Sequence, residues 1–396
     1  MDEHEAESYR RILKWFKGKK QPPFKIDIEL HRRCNLKCLS CSRRASPDYP
    51  RLNEISKQLE MPLEKWLEIV DEAAEMKVRE WHIAGGGEPM FLPEMTIPLM
   101  KKIKNYGMLG IITTNGTMWR NKDIEATVKM GWDRIHFSID GPNSKVHDYL
   151  RNVPGTFERV MRTIKKFNML KKKYHTDKPM LNINTVLSRK NYRLLPDIVN
   201  LAKKCGIGFI FVDPLIVYSD IGEKLKMKKS DLEKFHPFLK KARELAEKLG
   251  IGNNFSGLQN NLNEELIEKS SKMNEVIEKD VKNVENLNVS KFLKNFLTVP
   301  CYKPWFHITI KCDGRTTSCD VPVTGGDNIR NKSLKEVWDG PYFQWLRKGL
   351  LSVKIPEFCA QCNASHISQR RKMRLEIIKM LEPRAFNKAC EIYGAL

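Results

Sequence analysis

The chain has 396 residues, 41% hydrophobic and 30% charged, enough to bury a sizeable core and consistent with one large domain plus a smaller one. The N-terminal MDEHEAES is acidic and unlike a signal peptide, and no apolar run approaches the roughly 20 residues that span a bilayer, so a cytoplasmic protein without membrane contact is expected. A net charge of +22 would suit a polyanion, but the lysines are scattered beside glutamates and short runs such as Lys171–Lys173 read as solvated helix ends, which argues against nucleic acid as a partner.

An extension over 1–21 precedes the first β-rich run. From Phe24, short strand-like runs alternate with stretches of helical period, the signature of βα units. The predicted strands are Phe24–Leu30, Val78–Ile83, Leu109–Thr114, Arg134–Ile139, Met180–Leu187 and Phe209–Leu215. Pro62 can open a helix whose sheet-facing side carries Leu63, Trp66, Leu67, Val70 and Ala74. Further helices are predicted over Pro93–Tyr106, Lys122–Met130, Thr156–Tyr174 and Tyr192–Cys205. The expected fold class is α/β, a partial barrel of six βα units over 22–220. A Lys-, Glu- and Asn-rich helical connector over 221–300 should hold no strand until Trp305–Ile310. A small region rich in Cys, Gly and Pro follows over 301–366, and a basic amphipathic helix over 367–396.

Ten cysteines in a reducing compartment read better as metal ligands than as disulfides. Directly after the first strand stand Cys34, Cys38 and Cys41, separated by three and then two residues. Three thiolates leave one iron of a four-iron cluster without a protein ligand, an opening that a cofactor can chelate. A Cys3His zinc site with His31 as fourth ligand is the alternative. At the end of the second strand comes Ala84-Gly85-Gly86-Gly87-Glu88-Pro89. Glycines there let backbone carbonyls approach a cationic amine, and Glu88 can add charge-assisted hydrogen bonds.

The cysteine spacing and this glycine-rich turn, in this order, resemble the motifs of the radical S-adenosylmethionine (SAM) superfamily. The resemblance implies that the methionine amine and carboxylate of SAM fill the open iron. The reduced cluster then cleaves SAM to a 5′-deoxyadenosyl radical, which abstracts a hydrogen atom. An electron donor such as ferredoxin or flavodoxin is implied as a partner. Gly86, Gly87 and Glu88 would hold the methionine amine. Ser138 at the end of the fourth strand, Arg151 before the Gly155-Thr156-Phe157 helix start, and Asn184 in the fifth strand would face the cofactor, although each could equally be a turn or capping residue. Many relatives place an aromatic residue before the third cysteine, where this chain has Ser40.

Downstream, Cys301, Gly314, Cys319 and the pair Cys359 and Cys362 supply four thiolates, which suit a zinc ribbon or a 4Fe-4S cluster on spacing alone. The pattern resembles the auxiliary-cluster region called SPASM, or its shorter variant twitch, and implies an iron–sulfur cluster. The cysteines that continue the full pattern are missing over 363–369, so one auxiliary 4Fe-4S cluster is expected. Cys205 and Cys390 read as buried helix residues, and Cys312 as a spare cysteine outside the ligand set.

Fold does not fix chemistry. About twenty residues precede the first strand, too few for a fused leader-binding domain, so oxidation or rearrangement of a small molecule is expected, with peptide modification as the alternative. A zinc-stabilised RNA-binding protein would explain the charge and cysteines but not the glycine turn after a strand. No residue stands out as a proton acceptor; Asp213 and Tyr218 lie near the end of the sixth strand.

Overall fold

The computed structural model describes residues 3–46, 52–261, 273–319, 326–362 and 364–394. The six predicted strands form as β1 (Lys25–Ile28), β2 (Glu80–Ile83), β3 (Leu109–Thr114), β4 (Arg134–Ser138), β5 (Met180–Leu187) and β6 (Phe209–Pro214). They pair in parallel in sequence order. Parallel neighbours need crossovers, supplied by the helices Leu63–Glu75, Pro93–Asn105, Asn121–Lys129, Thr156–Lys173 and Leu195–Lys204. Alternate strand residues such as Ile26, Trp81, Ile112, Ile135, Ile183 and Ile210 are fully buried in one core with those helices. On the first crossover helix the buried side comprises Trp66, Ile69, Val70 and Ala73, while Leu63, Leu67 and Ala74 are only half-buried. The true stripe is rotated from the predicted one because Ile69 and Ala73 turn toward the sheet.

The sheet has nine strands and is not closed, in the order β7-β6-β5-β4-β3-β2-β1-β8-β9. β7 and β9 were not predicted, whereas β8 falls within the predicted run Trp305–Ile310. β7 (Gly252–Asn253) lies in the stretch read as purely helical and pairs in parallel with β6. Gly250, at φ +67°, turns the chain after the helix Lys229–Leu249, and the Asn254 amide then bonds both the N–H and the C=O of Val212, each at 2.9 Å. Two residues carry no readable period, so this strand has no sequence signature.

β8 (His307–Ile310) and β9 (Thr316–Thr317) belong to the cysteine-rich region, yet β8 pairs in parallel with β1. β1 would otherwise present an open edge. The N-terminal extension is a helix, Glu3–Phe16, with Tyr9, Ile12 and Leu13 buried and the Arg11 guanidinium donating to the Lys77 carbonyl at 2.9 Å.

The C-terminal helix Ala364–Leu381 is less solvated than its basic composition suggests. Arg370 and Arg374 are buried, and Arg370 and Arg371 each stand 2.8 Å from Asp280, in the connector helix Met273–Lys282. Burial works to raise the Asp280 pKa, but the arginines hold it below the usual carboxylate range. Cys205 and Cys390 are only half-buried, at a helix C-cap and near the C-terminus, whereas Cys312, at the end of β8, is fully buried. Among the described residues no helix is long and apolar enough to cross a membrane.

Candidate active site

The end of β1 runs straight into the cysteine loop. The Asn53 side chain holds it by accepting from the Cys34 N–H and donating to the Cys34 carbonyl, both at 3.0 Å. Arg44 donates to the Cys38 carbonyl at 2.8 Å, and the Leu39 N–H reaches the Leu150 carbonyl at 2.9 Å. Cys34, Cys38 and Cys41 are half-buried as residues. Burial pushes the Cys34 thiol up to about 12 and raises Cys38 despite the nearby Arg151. A metal must therefore displace protons from these thiols on binding.

The glycine turn lies directly on this loop. A Cβ at Gly86 would stand 2.5 Å from the His31 carbonyl oxygen, and one at Gly87 only 2.0 Å from that of Arg33. Gly85 and Gly86 also take φ of +82° and +63°, where side chains are strained. The Glu88 N–H donates to the Arg33 carbonyl at 2.8 Å, locking the two loops together. The Glu88 carboxylate is fully enclosed. It accepts from the Thr114 hydroxyl and the Asn115 N–H at 2.6 Å, and from the Met90 N–H at 3.1 Å. Burial raises its pKa against these donors. Glu88 thus fixes the turn to the end of β3, a role the sequence did not reveal.

Arg151 comes to the same place from the far side. It is buried, with Nη2 2.9 Å from the Asp140 carboxylate and Nη1 3.8 Å from the Cys38 sulfur, while its Nε has no partner among the described residues. Asp140 is raised by burial, which the Arg151 charge opposes, and it accepts from the Val186 N–H at 2.9 Å. Asp140 was legible only as part of a strand-ending turn; its pairing with Arg151 needs the fold. Ser138, the last residue of β4, and Asn184, in the interior of β5, are register partners, and the Asn184 Oδ1 is buried without a partner among the described residues. Asn35, Asn115 and Thr117 form a further web beside the loop, with Asn35 donating to Thr117 at 2.8 Å and accepting from Asn115 at 2.9 Å. Asp213 and Tyr218 are both half-buried, at the end of β6 and just beyond.

His31 accepts from the Arg33 N–H at 3.2 Å and packs edge-on to Phe91, with burial holding it at about 4. It therefore shapes the turn into the loop. Among the described residues no group of three or more His, Cys, Asp or Glu side chains is placed to hold a single metal ion.

In the C-terminal region, Cys319 follows β9 and the Cys362 N–H donates to the Cys359 carbonyl at 2.9 Å. Burial pushes the Cys359 thiol up, and Cys301, Cys319 and Cys362 beside it push further. Burial likewise carries Cys362 to about 12. The four thiols are thus electrostatic neighbours although they span sixty residues of chain. Arg370 donates to the Pro300 carbonyl, next to Cys301, at 2.8 Å, so the Asp280 cluster braces this site. The donor sets fit the groups implied for them: three thiols beside an unpartnered Arg nitrogen and a glycine cradle at one end, and at the other three thiols within electrostatic range of Cys359.

Comparison with known proteins agrees with both halves. The Radical SAM superfamily profile matches residues 28–181, and the SPASM iron–sulfur cluster-binding domain profile matches residues 301–363. An AdoMet-dependent heme synthase of Methanosarcina barkeri is 25% identical over 86% of this chain and 91% of its own. A PqqA peptide cyclase of Granulibacter bethesdensis is 28% identical over 47% of this chain and 46% of its own. Streptococcus suis SuiB bound to the precursor peptide SuiA superposes with a TM-score of 0.58 at 19% identity, over 87% of this chain and 70% of that one, which supports the fold. The chain belongs to the radical SAM superfamily and is a SPASM-type enzyme whose cofactors are 4Fe-4S clusters and S-adenosylmethionine.

Proposed function

We propose that this enzyme abstracts a hydrogen atom from a peptide substrate, with Cys34, Cys38 and Cys41 holding the SAM-binding cluster and Cys301, Cys319, Cys359 and Cys362 holding one auxiliary cluster. The observation that carries the first assignment is the interlocking of the cysteine loop with Gly86 and Gly87, which leaves no room for a Cβ between them. When bound, the cluster and SAM supply a 5′-deoxyadenosyl radical. The chain's own residues do the rest. Gly86, Gly87 and the Glu88-anchored turn present backbone to the methionine amine. Arg151, oriented by Asp140, offers its free Nε to a carboxylate, and Ser138 and Asn184 line the same wall. The four C-terminal thiols leave no open coordination position, so that site suits electron transfer or walling of the substrate pocket.

Peptide modification is preferred to the small-molecule reading because the relatives include a peptide cyclase, and a protein of the same fold is held with its precursor peptide. The length of chain before β1 carries no weight against it. A non-peptide substrate is favoured by the match to a heme synthase along 86% of this chain and to a cofactor-modifying protein along 85% of it. To separate them, the reconstituted enzyme is given SAM, reductant and a low-mass cell extract. Stimulated 5′-deoxyadenosine release that disappears when the extract is first digested with protease supports the peptide; stimulation that survives digestion supports the small molecule.

A further inference from the structure

The face of the sheet turned away from the crossover helices is polar, and most of its groups are already paired. Lys25 lies 3.3 Å from Asp27 and 3.2 Å from Glu80. His307 reaches Asp27 at 3.0 Å, and His82 meets the Thr113 hydroxyl at 2.9 Å. Besides Asn184, two neighbouring residues break the pattern. His136 on β4 and Asn182 on β5 are register partners, two residues deeper along their strands than Ser138 and Asn184. They are 8% and 2% exposed, and His136 Nε2 and Asn182 Oδ1 have no hydrogen-bond partner among the described residues. Phe211 stacks on the His136 ring with centroids 5.1 Å apart and an interplanar angle of 28°. Burial, with His82 and Lys25 adding to it, holds His136 well below its ordinary value, so the ring is neutral.

Buried polar atoms are as a rule hydrogen-bonded, so two adjacent unpartnered ones on this face indicate a group supplied from outside the chain. We infer that His136 and Asn182 form a substrate subsite that takes an uncharged, planar hydrogen-bonding group, the amide of a peptide. The imidazole and the carboxamide bring no net charge of their own. A carboxylate or phosphate buried against them would draw no counter-charge from Lys25, which is committed to Asp27 and Glu80. An amide needs no counter-ion, and it can meet the Asn182 acceptor with its N–H while its flat face lies along Phe211. The subsite rests on the peptide reading and names what part of the peptide is recognised.

The probe is N-methylacetamide, titrated calorimetrically into the SAM-loaded, oxidised holoenzyme, with acetate as the charged analogue. The amide should saturate a single site at least tenfold more tightly than acetate. Asn182→Leu should weaken it at least tenfold, whereas His136→Gln, which keeps a neutral hydrogen-bonding side chain, should stay within threefold of wild type. If Asn182→Leu does not fold by circular dichroism, Asn182→Thr is read in its place with the same expectation. Acetate binding as tightly as the amide, or an Asn182 variant that binds the amide like wild type, overturns the subsite. Either result leaves the peptide reading standing, because that reading falls only if the extract's stimulation survives protease.

Discussion

The two cysteine sites differ in what encloses them. The first has three thiols on one short loop, and its remaining walls are a glycine turn too close for any Cβ and an arginine held by a buried carboxylate. The second has four thiols drawn from three separate stretches of chain, braced by Asp280 and its arginines, and among the described residues the buried Arg370 Nε beside it also has no partner. On the ligand sets proposed above, the first leaves a position open to a ligand and the second closes on its metal. The number of thiols matters less than what the fold places in the gap.

The sharpest way to break this contrast is Cys38→Ala. It should abolish reductive SAM cleavage while the second site keeps its cluster, so iron falls from about eight to about four per chain. Wild-type release of 5′-deoxyadenosine by this variant would sink the assignment of the open site. Changing Cys359 and Cys362 together to Ala should have the converse outcome. Iron again falls to about four, but cofactor cleavage persists and product formation from the true substrate fails; circular dichroism guards against simple loss of the small region, whose metal contributes to its folding. Normal turnover by the folded double variant would make the second site structural.

Gly87→Ala tests the cradle rather than the cluster. With its Cβ 2.0 Å from the Arg33 oxygen the two loops must part, and the expected result is retention of all iron with cleavage slowed on the order of 10–100-fold, as a displacement of about 1 Å can cause. Iron loss in parallel with activity would mean instead that the glycines serve only to fold the cysteine loop.

The smallest effect is on acid stability. His147 is buried behind the open site, accepts from the Asp140 N–H at 3.3 Å, and is lowered by burial and Arg151 to about 3. Its ordinary value of about 6.5 applies in the unfolded chain, which therefore takes up the proton first. The stability it contributes is fully present above about pH 6.5 and is lost as the pH falls toward 3, by up to about 1.4 kcal/mol per pH unit. Urea unfolding at pH 7 and pH 5 should show this loss in the wild type and a flatter dependence in His147→Leu. An unchanged slope would mean that other groups carry the acid sensitivity.

Much of this was legible locally. The six strands and their helices follow from periodicity, and the first cysteine set, the glycine turn and the Cys359–Cys362 pair from spacing, because each depends on residues within a few positions of one another. Polar residues also alternate with apolar ones over Arg134, His136 and Ser138 and over Asn182 and Asn184, a pattern the sequence reading above left unused. What that signal could not say is which of those groups find partners. Only the fold decides that Lys25 is taken up by Asp27 and Glu80 while His136 and Asn182 are left open.

The order of the βα units, the two thiol sets and the glycines beside the first were determined by the sequence itself. Tertiary structure alone decided that β8 of the C-terminal region covers the edge of β1, that β7 extends the other side, and that Arg151 reaches Cys38 across 113 positions of chain. The reason is physical. Backbone period and turn chemistry are short-range properties, whereas edge covering and the pairing of buried charges depend on which distant segments are brought together, and many partners in the sequence would satisfy them equally well.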